Sequence, residues 1–348
     1  MPHRRPPTAI TLKDLARDLG MSVATTGRAF HPGAVIAPAT RARVLERALA
    51  LGYRPNALAQ GIITGHTRIV GVLLSDLLNP FYPEALARLT EAVQQAGFNV
   101  MLLVASPAQP VEEALRLLLS YHPEFIIILA TSLAGEAAGA CQEAGTPVLF
   151  LNRHSADPRA HAVICDNRGG AAQVADHLID GGARRLGFIG GQPGTSTNAE
   201  RAEGFRARCL ARGLPPPLEL EAGAFTYQAG YDAALRCLGG PGRPEALFCA
   251  SDILAAGAMD AARLRLGLRV PEDLAFAGFD DIALASWPSY DLTTLRQPLR
   301  RMIELAVEWI TRSARGEPLP GGIERIPGEL VPRRSSARPA DTVLETPF

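Results

Sequence analysis

The chain has 348 residues, of which 47% are hydrophobic, which is enough for a buried core in two or three domains and excludes a disordered chain. No apolar run reaches the roughly 18 residues that a membrane helix needs, and the N-terminus lacks the apolar segment of a secretory signal, so we expect a cytoplasmic protein. The formal net charge of zero conceals an asymmetry, because residues 1–66 hold nine basic and three acidic side chains and the remainder 26 basic and 32 acidic. A basic N-terminal segment on an acidic body indicates that this end contacts a polyanion.

The cysteines and histidines do not indicate a metal centre. The five cysteines form no Cys-x-x-Cys pair and their number is odd, so we expect buried free thiols and no disulfide framework. The seven histidines are scattered without the spacing of a metal-binding pair. The sequence therefore predicts no metal site and no cofactor.

The N-terminal segment predicts two short helices joined by a tight turn. Thr11 can cap the first helix, and Asp14 lies at its third position, where a carboxylate favours a helix N-terminus. Gly20 suits the turn, which needs a positive φ, and Ser22 can cap the second helix. The apolar face of the first helix comprises Leu12, Leu15, Ala16 and Leu19. This spacing is typical of a helix–turn–helix.

The second of these helices carries the residues that would read DNA. In a helix–turn–helix the second helix enters the major groove, and its first residues contact base edges. Here those residues are Val23, Ala24 and Thr25, with Arg28 one turn later. Arg28 can donate to O6 and N7 of a guanine, whereas Val23 and Ala24 offer only apolar contacts, for example to a thymine methyl. The alternative is an ordinary helical subdomain with a solvated arginine.

A third helix and a short segment complete the N-terminal region. The helix begins near Pro38 and ends at Gly52. Its expected inner face comprises Val44, Leu45, Ala48 and Leu49. The segment NALAQGI, residues 56–62, is too short for a stable isolated helix and can fold only against a partner. If it binds DNA, Ile62 could insert between base pairs in the minor groove; a plain interdomain linker is the alternative.

From residue 68 onward, short apolar runs alternate with amphipathic stretches. The runs are IVGVLLSD, NVMLLVAS, FIIILAT, VLFLN, AVICDN, RLGFIGG, ALFCASD and LAFAGFDD. Apolar strands linked by crossover helices predict a parallel, doubly wound α/β fold, and there are enough strands for two Rossmann-like lobes. Ligands of such sheets bind outside the carboxyl ends of the strands. Candidate ligand residues at those ends are Ser75, Asp76, Asn152, Asp252, Asp280 and Asp281.

The same body offers little support for an enzyme. The loop GFIGGQPG, residues 187–194, is only faintly similar to a phosphate-binding loop, because it lacks the G-x-G-x-x-G spacing and a Walker lysine. Asp280 and Asp281 are adjacent, so at a strand end they point to opposite sides and are poorly placed as an acid–base pair. We therefore expect a protein that is not an enzyme. A solute-binding protein of a transport system is the alternative to a DNA-binding regulator, because the body alone would fit it.

Several motifs occur in a fixed order between about residues 9 and 335. They are ITLKDLARDLGMSVATTGRAF, RPNALAQGIITG, LNPF, AERAEGF, LFCASDILAAGAM and AGFDDIALA followed by LTTLRQP. Together they resemble the lac repressor/galactose repressor family of bacterial transcription regulators. The resemblance implies a homodimeric repressor of pseudo-palindromic operators, whose affinity is controlled by a small sugar-like effector bound between two lobes.

The resemblance also implies a domain organisation. A helix–turn–helix domain at 8–54 is followed by a hinge helix and linker at 55–66 and by a periplasmic-binding-protein-like core at 67–335. The N-lobe of the core would comprise 68–163 and 296–322, and the C-lobe 164–293 and 324–335, with three crossings between them. The tail, 336–348, is expected to be disordered. It lacks leucine heptads, which argues against a tetramerising bundle.

The resemblance implies DNA contacts in the head and hinge. The implied contact residues are Thr11, Ser22, Val23, Ala24, Thr25, Arg28, Asn56, Ala59 and Ile62. The hinge helices would order on DNA, pair across the dimer and open the minor groove, with Ile62 at the intercalating position. Gly27 departs from the family, which usually has a serine there as a phosphate contact.

The resemblance further implies an effector site. Its residues would be Ser75, Phe81, Asn152, Thr197, Arg201, Phe225, Ser251, Asp252, Asp280 and Gln297. Arg201 would clamp vicinal hydroxyls or a carboxylate, and Asp280 would accept a sugar hydroxyl. Phe81 and Phe225 would stack on an apolar sugar face, although plain core packing is the alternative for both. Ser251 replaces the family's usual asparagine and so removes an amide.

Overall fold

The structure, a computed structural model, describes residues 10–30, 33–55, 61, 66–75, 77–106, 109–129, 134–155, 157, 160–240 and 242–337. The chain divides into two compact units, residues 1–67 and 68–348.

The first unit contains three short helices. They are α1 (Leu12–Leu19), α2 (Val23–Arg28) and α3 (Pro38–Leu51). The N–H of Asp14 donates to Oγ1 of Thr11, and the carboxylate of Asp14 accepts from the N–H of Thr11, which completes a capping box. Gly20 ends α1 with a φ of 66°. The predicted start and end of the first helix are therefore confirmed.

The buried face of α3 is narrower than predicted. Val44 and Ala48 are buried against Leu15, but Leu45 is 44% and Leu49 84% exposed. A step of one residue turns a helix by about 100°, and α3 has neighbours on one side only within the described part of this unit. The expectation that Leu45 and Leu49 belong to the core is therefore wrong.

The second unit consists of two lobes, each built on a six-stranded sheet. The first sheet has the order β11-β5-β4-β3-β1-β2, and the second has the order β12-β10-β9-β8-β6-β7. The strands are β1 (Ile69–Leu74), β2 (Asn99–Val104), β3 (Phe125–Leu129), β4 (Val148–Leu151), β5 (His161–Cys165), β6 (Leu186–Gly190), β7 (Leu218–Glu221), β8 (Ala246–Cys249), β9 (Ala275–Asp280), β10 (Thr293–Arg296), β11 (Ile323–Ile326) and β12 (Glu329–Val331). The helices are α4 (Phe81–Gln95), α5 (Val111–Ser120), α6 (Ala134–Glu143), α7 (Asn167–Asp180), α8 (Ser196–Ala211), α9 (Tyr227–Leu238), α10 (Asp252–Asp260) and α11 (Leu299–Ala314).

Strand direction and order confirm the predicted doubly wound α/β fold. The pairings of the first sheet are parallel, and in the second sheet β12 runs antiparallel to β10 at the edge. In both sheets the first five strands follow the order 2-1-3-4-5, so the topological switch points lie between β1 and β3 and between β6 and β8. The chain crosses between the lobes after β5, after β10 and after β11. Loops at the carboxyl ends of both sheets therefore face the same cleft.

The predicted lobe limits differ from the sheets by a few residues. The first lobe was expected to end at 163 and the second to resume at 324, whereas β5 continues to Cys165 and β11 pairs with β5 in the first sheet. Ser336, expected to open a disordered tail, is buried, and its Oγ bonds with Thr293 Oγ1 at 2.6 Å. These differences arise from pairing between distant segments. The remaining domain limits stay a prediction.

The cysteines of the described part of the chain are free thiols. Cys141, Cys165, Cys209 and Cys249 are buried and free, and Cys237 is free and half-buried. Burial raises the pKa of Cys141 and Cys165 to about 12, which keeps these thiols protonated. The described residues contain no cluster of three or more His, Cys, Asp or Glu side chains suited to a metal ion. Nor do they contain a helix long and apolar enough to cross a bilayer.

Candidate functional site

The exposed end of α2 has the features of a DNA-reading surface. Ser22 caps the helix, its Oγ accepting a hydrogen bond from the N–H of Thr25 at 3.1 Å. Val23, Ala24 and Arg28 are exposed, and Thr25 is half-buried. Thr11, which caps α1, is exposed as well. The described residues of the predicted DNA contact set are therefore accessible to a ligand.

Other basic residues of this unit hold its helices in place. The guanidinium of Arg41 donates to the carbonyl oxygens of Ala29 and Ala34, both at 2.9 Å. Arg47 on α3 pairs with Asp18 on α1 through two hydrogen bonds of 2.5 and 2.8 Å. These two arginines are engaged in contacts within the unit. The net charge of the segment therefore overestimates the number of basic side chains that are available to bind phosphate groups.

Gly27 faces the first helix. A Cβ at this position would lie 3.5 Å from Cδ2 of Leu12, which is an ordinary contact. Neither the backbone conformation nor the packing therefore requires glycine. The remaining predicted DNA contacts, Asn56, Ala59 and Ile62, lie outside the described residues, as does Asp76 among the strand-end candidates.

A small cavity lies between the two lobes of the second unit. Its volume is about 10 Å³, room for a single water. The cavity is lined by Asn79, Phe81, Tyr82, Asn152, Arg153, Thr197, Arg201, Phe225 and Asp280. A wider groove of about 340 Å³ adjoins it and shares Phe81 and Asp280 with it. Six of the ten predicted effector residues thus come together here, although they derive from widely separated segments.

Arg201 on α8 is the most constrained side chain of the cavity. It is 2% exposed, and its Nε donates to Oδ1 of Asn167 at 2.9 Å and its Nη1 to the carbonyl of Ala250 at 2.6 Å. Nη1 also lies 3.4 Å from Oδ1 of Asp280. The guanidinium carbon lies 3.6 Å from the ring centroid of Phe279, a close cation–π contact. The side chain is therefore held in one orientation at the cavity wall.

Asp280 ends β9 and provides the carboxylate of the cavity. Burial raises its pKa, against the lowering effects of the Arg201 charge and of a 2.7 Å hydrogen bond from Nε2 of Gln297. Gln297 is thus placed to position Asp280. Asp281 has different partners, Arg296 and Arg333, each at 2.7 Å. The expectation that the adjacent aspartates point apart agrees with these contacts.

The backbone is strained at the strand ends that form the cavity. Asn152 after β4 has a φ of 74°, and Asp280 and Asp281 have φ values of 120° and 55°. Such positive values are uncommon for residues other than glycine and concentrate at binding sites. The side chains of Asn152 and Asp280 line the cavity.

Glycine in the loop 187–194 serves packing at the cavity. A Cβ at Gly191 would overlap the ring of Phe225, and the N–H of Gly191 donates to Oδ1 of Asn198 at 2.8 Å. The absence of a side chain at Gly191 therefore leaves room for the ring of Phe225 beside the cavity.

Four predicted effector residues do not line the cavity. Ser75 is exposed after β1, and Gln297 acts through Asp280. Ser251 is fully buried, and its Oγ has no partner among the described residues. The carboxylate of Asp252 accepts from the N–H of Ile282 at 2.9 Å and from Oγ1 of Thr294 at 2.5 Å. Asp252 thus ties α10 to β10 and the loop after β9, which is a structural role.

Three cavity residues were not predicted. Arg153 directly follows Asn152, while Asn79 and Tyr82 flank Phe81. Nδ2 of Asn152 donates to the hydroxyl of Tyr82 at 3.2 Å. Arg153 follows an apolar strand in the sequence, and this position could have identified it as a candidate ligand residue. The burial of its side chain depends on contacts with the second lobe, which the sequence does not reveal.

The chain is similar to a protein family over part of its length and to curated proteins over most of it. A family described as a periplasmic binding protein-like domain matches residues 175–336. The transcriptional regulator GalS of Salmonella typhimurium is 30% identical over 311 residues, which are 88% of this chain and 91% of GalS. Catabolite control protein A of Priestia megaterium is 28% identical over 330 residues, 94% of this chain and 99% of that protein.

Solved structures show the same architecture. The lac repressor dimer bound to operator and the anti-inducer ONPF matches with a TM-score of 0.85 at 25% identity, covering 94% of this chain and 99% of the repressor chain. The complex of the transcriptional regulator CelR with cellobiose matches with a TM-score of 0.72 at 27% identity, covering 94% and 99% of the two chains. The similarity therefore includes the helix–turn–helix as well as the two lobes.

Proposed function

Because the chain belongs to the lac repressor/galactose repressor family of transcriptional regulators, we propose that α2 reads operator DNA and that a carbohydrate-like effector in the cavity between the lobes controls this binding. The protein is a DNA-binding transcriptional repressor that responds to an effector. The observation that carries the residue assignment is the polar cavity at the carboxyl ends of both sheets, in a chain that also has an exposed helix–turn–helix.

In the proposed DNA complex, Arg28 contacts a guanine, and Val23 and Ala24 make apolar contacts in the major groove. Thr11 and Ser22 lie at helix N-termini, where backbone N–H groups favour phosphate. Two copies of the chain bind the halves of a pseudo-palindromic operator. The hinge residues Asn56, Ala59 and Ile62 enter the minor groove between them.

Effector control follows from the small size of the cavity. A volume of about 10 Å³ cannot hold a sugar, so entry of an effector from the adjoining groove requires the lobes to move apart or rotate. An effector that prefers one lobe arrangement shifts the population towards it, and the dimer then presents its two DNA-binding units differently. Arg201, Asp280 and Asn152 are the groups that we expect to contact the effector.

A transport protein is the weaker alternative. The similarity to the lac repressor covers 94% of the chain and so includes the DNA-binding head, which a solute-binding protein does not need. The relatives are transcriptional regulators and not enzymes. Since the proposed ligand is operator DNA, we place the protein in the cytoplasm.

The proposal is tested by selecting binding sites from a random double-stranded DNA library with the purified chain. We expect an enriched inverted repeat, and Arg28→Ala should weaken binding to it by roughly 1–3 kcal/mol in an anisotropy titration. Arg116→Ala, which removes an exposed arginine from α5 in the second unit, is the control and should bind as wild type. Absence of any enriched sequence would contradict the DNA-binding assignment.

A further inference from the structure

Arg153 is a largely buried cation that forms no hydrogen bond or close ion pair with the described residues, although its charge acts on Asp280. Its side chain lies in the cavity and is 5% exposed. The structure records no hydrogen bond from Arg153 to any residue that it describes, and its buried Nε has no acceptor. Burying a charge without a partner is costly unless something else supplies the counter-charge. The position therefore indicates an acceptor that enters from outside the chain.

The charges that line the cavity do not balance. Arg153 and Arg201 are both cationic, and Asp280 is the one acidic side chain of the described lining. That carboxylate is already engaged by Nη1 of Arg201 at 3.4 Å and by Gln297 at 2.7 Å. Arg153 instead lies over an apolar surface, with its guanidinium carbon 5.7 Å from the ring centroid of Phe225. Two cations thus share one carboxylate, which leaves the lining of the cavity with a net positive charge.

Another buried acid, Glu200, is engaged by other cations. Its carboxylate accepts a hydrogen bond from Arg168 at 2.9 Å, forms an ion pair with Arg325 at 3.0 Å and contacts His154 at 3.2 Å. Glu200 is therefore surrounded by cations of its own. Within the described chain no second carboxylate replaces the missing counter-charge of Arg153.

Two neutral acceptors also lack partners beside the cavity. Oδ1 of Asn152 lies in the cavity lining, and Gln297 lines the adjoining groove, where its amide nitrogen bonds to Asp280. Oδ1 of Asn152 and Oε1 of Gln297 are both buried without a donor among the described residues. Hydroxyl groups of a ligand that spans the cavity and the groove would satisfy them. The cavity and the groove thus combine hydroxyl-accepting groups with an excess of positive charge.

We propose that the effector is a polyhydroxylated acid, whose hydroxyls bond to Asn152 and Gln297 and whose anionic oxygens pair with Arg153. This inference rests on the proposed function, in which the cavity is the effector site. An acidic group forms charge-assisted hydrogen bonds with a guanidinium, and a neutral sugar cannot supply the counter-charge. A sugar carboxylate and a sugar phosphate share this chemistry.

The first experiment uses small anions as probes. Melting temperatures of the wild type, Arg153→Met and the control Arg116→Met are measured in chloride, formate and inorganic phosphate at matched ionic strength. We expect formate or phosphate to raise the melting temperature of the wild type and of Arg116→Met by at least about 2 °C more than that of Arg153→Met. A response to formate indicates a carboxylate ligand, and a response to phosphate indicates a phosphorylated one. Equal responses of all three proteins would overturn the proposal.

A second readout needs no ligand. If Arg153 is an unpaired buried cation, Arg153→Met in chloride should melt at the same temperature as the wild type or higher. A clearly lower melting temperature would mean that Arg153 stabilises the fold, and would count against the proposal. Measuring DNA binding by the wild type and the two variants distinguishes failure of the proposed function from failure of the acidic-effector assignment. A wild type that fails to bind selected DNA refutes the proposed function, whereas an anion response independent of Arg153 refutes only the acidic effector.

Discussion

Glu200 in the second lobe and Arg325 in the first lobe form an ion pair, with 3.0 Å between Oε1 and Nη1. The same carboxylate accepts from Nη1 of Arg168 at 2.9 Å and from Nδ2 of Asn167 at 3.1 Å. Because Glu200 directly precedes Arg201 on α8, this contact joins the lobes beside the cavity. The pair therefore stabilises the arrangement of the two lobes in this structure.

Replacing Glu200 with glutamine should destabilise the protein by about 1.5–3 kcal/mol, because the charged hydrogen bonds are lost while the arginines stay close together. Urea unfolding measures the effect. Glu203→Gln is a matched control on the same helix, since Glu203 also pairs with Arg168 but its side chain is 57% exposed. We expect less than about 1 kcal/mol for it. Equal losses in the two variants would contradict the role assigned to Glu200.

His154 should make this contact between the lobes depend on pH. The hydrogen bond to Glu200 raises the pKa of His154 above its ordinary 6.5, although burial and the charge of Arg325 oppose the shift. The stabilisation is therefore fully present below about pH 6.5 and is lost as the pH rises through the raised pKa. Thermal melts should show a larger difference between wild type and His154→Gln at pH 5.5 than at pH 8.5.

Glu200 itself does not produce a pH dependence in that range. Burial alone would raise its pKa, but hydrogen bonds from His154 and Asn167 and the charge of Arg325 lower it to about 2. Its contribution is present above pH 4.5 and is lost only towards pH 2. In a Glu200→Gln background the effect of His154→Gln should therefore no longer vary with pH, and a persisting variation would assign it to another group.

Arg201→Met should cost about 3–5 kcal/mol of unfolding free energy, because it removes the cation that contacts the buried Asp280 at 3.4 Å. It also leaves the carbonyl of Ala250 without a 2.6 Å donor. Combining it with Asp280→Asn should recover part of the loss, since the uncompensated charge is then removed. If the double variant loses as much unfolding free energy as the two single variants together, the two residues contribute to stability independently.

Gly27→Ala should stabilise α2 by about 0.5–1 kcal/mol, because alanine loses less backbone entropy in a helix and its Cβ meets Leu12 at an ordinary distance. Amide exchange of the α2 peptide, followed by mass spectrometry, should slow by about two- to fivefold. Gly20→Ala serves as a control for which we expect the opposite change in exchange rate. Its φ of 66° disfavours a side chain, and exchange of this segment should become faster.

Ile62→Gly should abolish operator bending and weaken specific binding if this side chain intercalates in the minor groove. Fluorescence energy transfer between the ends of a selected operator measures bending, and a titration measures affinity. Ile62 lies outside the described residues, so this assignment stays a prediction from the family resemblance. Unchanged specific affinity would refute intercalation by Ile62.

The sequence by itself determined the features that depend on neighbouring residues. Thr11, Asp14 and Gly20 set the limits of α1 through hydrogen bonds and a backbone angle within one short segment. The strands IVGVLL and FIIIL were predictable because each is a continuous apolar run buried on both faces. Such local chemistry, together with the order of the motifs, was enough for the α/β fold and the family.

Only the tertiary structure decided features that depend on distant segments. The edge strand Ile323–Ile326 is largely exposed and has no apolar run, so its place in the first sheet follows from pairing with β5. Asp252 looked like a ligand residue, but packing turns it towards Ile282 and Thr294. Arg153 follows a strand of the first lobe, and its guanidinium lies over the ring of Phe225 from the second lobe. Burial and partner choice arise from the approach of two lobes, and no local pattern encodes that approach.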